Sequence, residues 1–236
     1  MTGPGDGLPT WWDPLADRLR RVRAEDLSRH VPPPDNTGRP SAVLMLLADR
    51  PDRPADDAVG ADVLLMERAA TMRSHAGQPA FPGGGTEPGD RDMVGTALRE
   101  AQEEVGLDPA SVRVVAEMPA LWLPPSGYVV TPVVAWWAWP HPVGVADPAE
   151  VARVARVPLA ELADPANRFR VRHPSGYVGP AFTAGGMLIW GFTAGLLSAV
   201  LDLGGWSRPW REDRVEDLPR ADVERALRTS PPDAVH

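Results

Sequence analysis

A run of glycines that leads into an acidic helix pattern constrains this chain more than any other feature. Gly83–Gly85 are consecutive glycines, and the spacing that follows predicts a helix over about 93–105 that Gly106 ends. Asp90 stands just before this helix and is expected to cap its first turn. Glycines let backbone carbonyls approach an ion, and backbone amides approach a phosphate, closely. The segment therefore predicts a loop and helix that can hold a charged ligand.

Three glutamates lie in the second half of the predicted helix. Because residues three and four positions apart share one helix face, Glu100, Glu103 and Glu104 are expected to form one carboxylate cluster. Like charges repel, so the cluster is favoured when a divalent cation such as Mg²⁺ binds its oxygens. Arg99 is expected to neutralise part of the cluster and to hold a glutamate in position. A solvated acidic face would explain the glutamates alone, but the glycine-rich approach favours a metal site.

The composition excludes several other chemistries. The sequence contains no cysteine and no lysine, which excludes zinc–thiolate sites, thiol nucleophiles, P-loop lysines and lysine Schiff bases. The formal net charge of −8 disfavours a nucleic-acid partner, because binding phosphates non-specifically needs a basic face. The first residues do not have the pattern of a signal peptide, so we expect a cytoplasmic protein.

Short apolar runs alternate with a few helix patterns along the chain. This order predicts an α/β or α+β sandwich. We expect a leader and helix over 1–35, a main domain over 36–205 and a polar extension over 206–236. Strands are predicted at about 41–48, 61–67, 112–117, 128–139, 169–172 and 177–182, and helices at about 12–28, 93–105, 159–163, 190–203 and 221–229.

Residues 173–201 contain no Asp, Glu, Lys or Arg and are numerous enough to span a bilayer. Pro174, Pro180 and several glycines make a single spanning helix a poor fit to this stretch. We therefore expect a buried pair of strands followed by a helix and disfavour membrane contact, while contact of this stretch with a membrane or a partner stays open.

The glycine loop and the acidic helix resemble the Nudix box, usually written G-x5-E-x7-R-E-U-x-E-E-x-G-U, where U is a bulky apolar residue. Gly84 takes the leading position, and residues 99–107 supply the second half of the pattern. Asp90 replaces the first glutamate, and eight residues rather than seven separate it from Arg99. Ala101 is small for its apolar position. The longer spacing is similar to that of the coenzyme A pyrophosphatase branch of the Nudix family.

An upstream segment also resembles that branch, whose signature has the form LLTxRSxxxRxxxGxxxFPGG. Met66 and Ala69 replace the Thr and Ser of the signature, and Gly85 stands where lysine is often found. The resemblance extends over about 64–201. The residues that match the signature are Leu64, Leu65, Arg68, Arg73, Gly77 and Phe81–Gly84.

The resemblance implies a Nudix α/β/α sandwich with a mixed β-sheet and helical extensions at both ends. It implies a pyrophosphatase that uses Mg²⁺ or Mn²⁺ to cleave the diphosphate of coenzyme A or an acyl-CoA into 3′,5′-ADP and 4′-phosphopantetheine or its acyl form. ADP-ribose, NADH or a nucleotide sugar is the alternative substrate, and a catalytically silent nucleotide-binding regulator is the alternative function. Association as a homodimer stays open.

The resemblance also implies binding roles for individual residues. Arg68 and Arg73 are expected to bind substrate phosphates, since arginine matches phosphate oxygens bidentately. Gly83 and Gly84 are expected to let the main chain approach the substrate. The expected metal ligands are Gly84, Glu100, Glu103 and Glu104.

The general base is left open by these patterns. A carboxylate inside the box, Glu100 or Glu103, is one option, and an acid outside the box is the other. Glu150 is the downstream candidate, although a surface charge at a strand or helix edge would also explain it. The expected catalytic residues are Arg99, Glu100, Glu103 and Glu150.

Overall fold

A mixed β-sheet forms the centre of the molecule. We describe it from a computed structural model that covers residues 7–28, 32, 37–50, 60–72, 75–124 and 126–227. Eight strands of this described part make up the sheet. They are β1 (Arg39–Asp49), β2 (Ala61–Arg68), β3 (Pro79–Ala80), β4 (Gly83–Gly85), β5 (Val112–Glu117), β6 (Leu121–Leu123), β7 (Tyr128–Trp137) and β8 (Val151–Pro158).

A smaller sheet and several helices surround the central sheet. The smaller sheet contains β9 (Arg168–Arg172), β10 (Val178–Ala184), β11 (Met187–Ile189) and β12 (Val215–Asp217). The helices are α1 (Asp13–Leu19), α2 (Ala24–Leu27), α3 (Met93–Val105), α4 (Leu159–Ala163), α5 (Gly191–Gly204) and α6 (Arg220–Leu227).

Strand β1 determines where the glycine loop lies. One edge of β1 pairs in parallel with β7 along most of its length. The other edge is shared, because β2 pairs antiparallel with the end of β1, at Leu47, and β4 pairs antiparallel with its start, at Ala42. The predicted glycine loop is therefore a short strand of the sheet, and Gly84 lies opposite Ala42.

Helices cover both faces of the central sheet. On one face, Ala97 and Ala101 of α3 pack in the same buried cluster as Leu44 of β1. On the other face, helices α1 and α5 pack on the sheet, with Trp12 and Leu15 buried in the cluster that contains Met45. This arrangement confirms the expected α/β/α sandwich with a mixed sheet. The helix of the predicted leader, 1–35, thus belongs to the same core as the main domain.

The uncharged stretch 173–201 forms strands β10 and β11 and most of helix α5, as the sequence predicts. Leu196, Leu197 and Val200 of α5 are buried in the core. Among the helices of the described residues, none is long and apolar enough to cross a membrane.

Several elements differ from the sequence prediction. The helix predicted over 12–28 is broken into α1 and α2, and the turn between them lets both Val22 and Leu27 pack against the core. The strand predicted to reach Trp139 ends at Trp137, because the chain turns and the amides of Ala138 and Trp139 both donate to the carbonyl of Ser111. Strand β8 was not predicted, since its residues do not alternate strictly between buried and exposed positions.

Candidate active site

Arg99 of helix α3 is the centre of a hydrogen-bond network that joins the helix to the loop before it. Its Nε and Nη2 bind the two carboxylate oxygens of Asp90, at 2.9 and 3.1 Å. Nη2 also donates to the carbonyl of Gly85 at 2.9 Å and to Glu100 at 3.1 Å, while Nη1 donates to Glu103 at 3.0 Å. The planar guanidinium suits this forked pairing. Its bonds to Asp90 hold the pKa of that carboxyl well below its usual range.

Asp92, and not Asp90, caps helix α3. The Oδ1 atom of Asp92 accepts a hydrogen bond from the amide of Gly95 at 2.7 Å. The predicted role of Asp90 as the cap is wrong, because the helix begins at Met93 and only Asp92 directly precedes it. Asp90 instead accepts from the hydroxyl of Thr96 at 2.8 Å as well as from the arginine.

Glu104 lies at the buried end of the acidic helix face, with 2% of its surface exposed. The amide of Gly83 donates to its Oε2 at 2.9 Å. Its Oε1 has no hydrogen-bond partner among the described residues, and the nearest cation is Nη1 of Arg68, at 3.6 Å. Burial, helped by the charges of Glu100 and Glu150, raises the pKa of Glu104 to about 8 against the effects of the Gly83 amide and Arg68.

Glu100 occupies the cradle formed by the glycine loop. A Cβ atom added to Gly84 would lie 2.4 Å from its Oε1, so a side chain at position 84 would displace this carboxylate from its observed position. Burial raises the pKa of Glu100, while Arg99 opposes the shift. The carboxylate of Glu100 thus fills the space that a side chain at position 84 would take, while the approach of the Gly84 main chain to an ion or substrate stays a prediction.

The side chain of Glu103 lies apart from those of Glu100 and Glu104. Its side chain is 58% exposed and pairs with Arg99 at the outer side of the helix. Glu100 and Glu104 lie against the glycine loop. Across the described ranges, no group of three or more His, Asp and Glu side chains is arranged as a ready metal site. The single three-carboxylate cluster expected from helix spacing is thus not formed here.

The main chain of Glu150, at the end of the loop between β7 and β8, is held beside the site by backbone hydrogen bonds. The amide of Ala146 donates to the carbonyl of Glu104 at 3.1 Å, and the amide of Ala69 donates to the carbonyl of Glu150 at 2.7 Å. Burial is the main cause that raises the pKa of Glu100 and of Glu104, a neighbouring box glutamate adds to it, and the charge of Glu150 adds least. The downstream acid chosen from sequence therefore lies near the box glutamates, and its role stays a prediction.

Of the two arginines predicted to bind phosphate, only Arg68 lies within the described residues. Arg68 ends strand β2, with its guanidinium beside Glu104 and its Nε without a hydrogen-bond partner in the described part of the chain. Arg73 lies outside the described residues. Gly83 packs tightly on β1, since an added Cβ would lie 2.3 Å from the carbonyl oxygen of Ala42.

These residues fit a divalent cation. Two carboxylates lie on the glycine loop, and one buried oxygen, Oε1 of Glu104, lacks a hydrogen-bond partner among the residues described. Oxygen donors of this kind suit Mg²⁺ and Mn²⁺. Glu100 and Glu104 are therefore the first candidates as ligands, and Glu103 would join them from the outer side.

Comparison with known proteins decides the family. The family profile described as NUDIX domain matches residues 38–177, more than half of the chain. The chain belongs to the Nudix family.

Two relatives by sequence support the same assignment. A Nudix hydrolase NudL, uncharacterized, from Photorhabdus laumondii is 41% identical over 154 residues, covering 62% of this chain and 73% of that protein. Its namesake from Cronobacter sakazakii is 42% identical over 123 residues, covering 52% of this chain and 59% of the relative, less than two thirds of its length. The Nudix hydrolase RenU from M. smegmatis has a similar structure, with a TM-score of 0.46 and 19% identity over 71% of this chain and 86% of that chain.

As a Nudix enzyme, the protein is a pyrophosphatase that hydrolyses a diphosphate substrate. Nudix hydrolases generally use divalent metal ions such as Mg²⁺ or Mn²⁺. Sequence reasoning missed the cap at Asp92, although an Asp immediately before the first apolar helical residue is a usual capping signal.

Proposed function

We propose that this Nudix enzyme hydrolyses the diphosphate bond of coenzyme A or an acyl-CoA, giving 3′,5′-ADP and 4′-phosphopantetheine or its acyl form. The main support is that the upstream signature and the acidic helix of the box meet at one site. Nη1 of Arg68, from the upstream signature, lies 3.6 Å from Oε1 of Glu104 in the box. Gly83, near the end of the signature, donates to the same glutamate at 2.9 Å. A signature that resembles the coenzyme A branch thus borders the proposed metal site.

Glu100 and Glu104 are the proposed main ligands of Mg²⁺ or Mn²⁺, with Glu103 and the carbonyl of Gly84 as further ligands. When bound, the metal offsets the charge of the diphosphate and lowers the pKa of an attacking water. The protein orients its own carboxylates for this purpose. Arg99 binds Glu100 and Glu103, and a backbone amide of the glycine loop binds Glu104.

Glu150 is the proposed general base, with Glu100 and Glu103 as the alternatives. Its carboxylate would take a proton from water while the water oxygen bonds to phosphorus and the bridging oxygen leaves. The support is the position of its main chain: the amide of Ala69, next to Arg68, donates to the carbonyl of Glu150 at 2.7 Å, and the loop that carries Glu150 is bonded to the carbonyl of Glu104 through the amide of Ala146.

Arg68 and Arg73 bind the anionic groups of the substrate, and Arg99 stabilises the loop and helix. The enzyme acts on a small molecule in the cytoplasm rather than on nucleic acid, in line with its net charge of −8 and its lack of cysteine.

The test is a substrate panel with the full chain. Coenzyme A, acetyl-CoA, ADP-ribose and NADH are each incubated with Mg²⁺ or Mn²⁺, and the products are separated by chromatography. We expect 3′,5′-ADP from the first two and little product from the others. Cleavage of ADP-ribose with intact coenzyme A would overturn the substrate assignment, and no cleavage of any compound would favour a silent nucleotide-binding regulator.

Two controls make the result specific. A chelator such as EDTA should stop turnover, and added Mn²⁺ should restore it. Coenzyme A without its 3′-phosphate tests whether that group is recognised, since an enzyme that binds it should show a higher KM for the truncated substrate.

A further inference from the structure

The loop between β7 and β8, residues 138–150, is joined to the end of the acidic helix by its own backbone. The amide of Gly144 donates to the carbonyl of Val105, and the amide of Ala146 donates to the carbonyl of Glu104, each at 3.1 Å. These bonds use carbonyls in the last turn of α3, which lack partners inside the helix. The loop is therefore held in a fixed place relative to Glu104.

Asp147 then forms the turn from which Glu150 emerges. Its Oδ1 accepts a hydrogen bond from the amide of Ala149 at 2.8 Å. Its carbonyl accepts from the amides of Glu150, at 3.2 Å, and Val151, at 2.9 Å. Asp commonly stabilises turns in this way, through a side-chain bond to a backbone amide two residues on.

Strand β2 fixes the other side of Glu150. The carbonyl of Glu150 accepts a hydrogen bond from the amide of Ala69 at 2.7 Å, and the next residue, Val151, pairs with Arg68 in the sheet. The register of β2 and β8 shifts between Glu67 and Arg68, directly beside this point. The main chain of Glu150 is thus held between the Asp147 turn and the end of β2.

The chain contains the same turn elsewhere, which supplies internal controls. The tripeptide Asp-Pro-Ala occurs three times, beginning at Asp108, Asp147 and Asp164. In each copy the Asp Oδ1 accepts from the Ala amide, at 2.9, 2.8 and 2.9 Å respectively. The copy at Asp147 is the one followed by Glu150.

We infer that Asp147 is a positioning residue of the active site, whose side-chain hydrogen bond holds the turn that presents Glu150 to Glu100 and Glu104. The inference rests on the proposed function, in which Glu150 is the general base. An Asp147 that merely stabilises a surface turn would affect folding, but it would not act on turnover through Glu150.

The experiment is a double-mutant cycle with coenzyme A at saturating Mg²⁺. We expect Glu150→Gln to lower kcat at least about 100-fold, as for loss of a general base. Asp147→Ala should lower kcat about 10-fold through misplacement of the base, with KM changed less than about twofold. In the double variant, Asp147→Ala should have no further effect on kcat, because the residue it positions is already disabled.

Matched variants separate positioning from folding. Asp147→Asn keeps an oxygen that can accept from Ala149, so it should retain kcat within about threefold of wild type. Asp164→Ala removes the equivalent bond at a turn away from the site and should leave kcat within about twofold of wild type. Thermal unfolding of all variants checks that each is folded during the assay.

The possible failures are distinguishable. A wild-type kcat for Glu150→Gln would overturn the proposed base, and the positioning role with it. If Glu150→Gln is slow but Asp147→Ala is not, or if their effects multiply in the double variant, only the positioning role of Asp147 is overturned.

Discussion

The two ends of the acidic face of α3 are built differently. At the outer end, Arg99 donates to Asp90, Gly85, Glu100 and Glu103, and the network is partly open to solvent. At the inner end, Glu104 is almost fully buried and receives one hydrogen bond, from the glycine loop. The outer end joins many polar groups, whereas the inner end leaves a buried carboxylate oxygen without a hydrogen-bond partner within the described residues.

This difference separates structural from chemical roles. A buried, underpaired carboxylate costs stability, and it persists where function requires it. The forked pairing around Arg99 fixes the loop on the helix, and its groups are already satisfied. We therefore expect substitutions at the inner end to change chemistry more than stability, and substitutions at the outer end to change both.

The largest expected effect is at the inner end. Glu104→Gln removes the charge but keeps an oxygen for the Gly83 amide, so kcat should fall at least about 100-fold as metal binding weakens. Without metal near pH 7, the urea concentration at half-unfolding should change little, because a carboxyl whose pKa is raised to about 8 is mostly protonated there and the neutral amide has nearly its shape. Kinetics, with Mn²⁺ binding measured by electron paramagnetic resonance, check both expectations. Glu117→Gln, at an exposed position, is the control, and a wild-type rate for Glu104→Gln would refute the metal-site assignment.

The next effect is at the outer end. Arg99→Met leaves Asp90, Glu100 and Glu103 without their common partner, and it should lower the free energy of unfolding by about 1–3 kcal/mol. Activity should fall too, because the loop is no longer fixed. Urea denaturation measures the loss, with the exposed Arg91→Met as its control. If Arg99→Met unfolds at the wild-type urea concentration, the outer end is not the scaffold described here.

Helix periodicity and glycine spacing predicted much of this site. Where the prediction from these patterns was incomplete, the reason is physical. Helix spacing predicted that Glu100 and Glu104 share one face, and on that face Glu100 lies against Gly84 while Glu104 bonds the amide of Gly83. It could not show that Glu103 turns outward, since this depends on Arg99, which lies four residues before it and has its remaining donors engaged elsewhere.

Contacts between distant segments were harder to predict. The pairing of β8 with β2 brings Glu150 beside Arg68, and it depends on strand register rather than on any local pattern. The Nudix resemblance suggested an acid outside the box, whereas the turn at Asp147 went unrecognised even though Asp-Pro is a usual start of a turn.

A smaller effect tests the cradle between the two ends. Gly84→Ala puts a methyl group where the carboxylate of Glu100 lies, and that carboxylate can move because it ends a flexible side chain. The fold should persist while Mn²⁺ affinity falls about 10-fold. Gly85→Ala is the matched control, because an added Cβ there meets nothing within 4 Å. Equal Mn²⁺ affinities for the two variants would argue against a role for close approach at Gly84.

The smallest effect concerns the first turn of α3, which precedes the acidic face along the chain. Asp92→Ala removes the bond to the amide of Gly95 and should lower the free energy of unfolding by about 1 kcal/mol, as for other lost helix caps. The kcat should stay near that of the wild type, because Asp92 takes no part in the Arg99 network, which Asp90 joins instead. Urea denaturation and steady-state kinetics on the same preparation measure both values. A loss of kcat as large as that of Arg99→Met would mean that the helix start and the Arg99 network act as one unit. Asp92 would then contribute to activity as well as to stability.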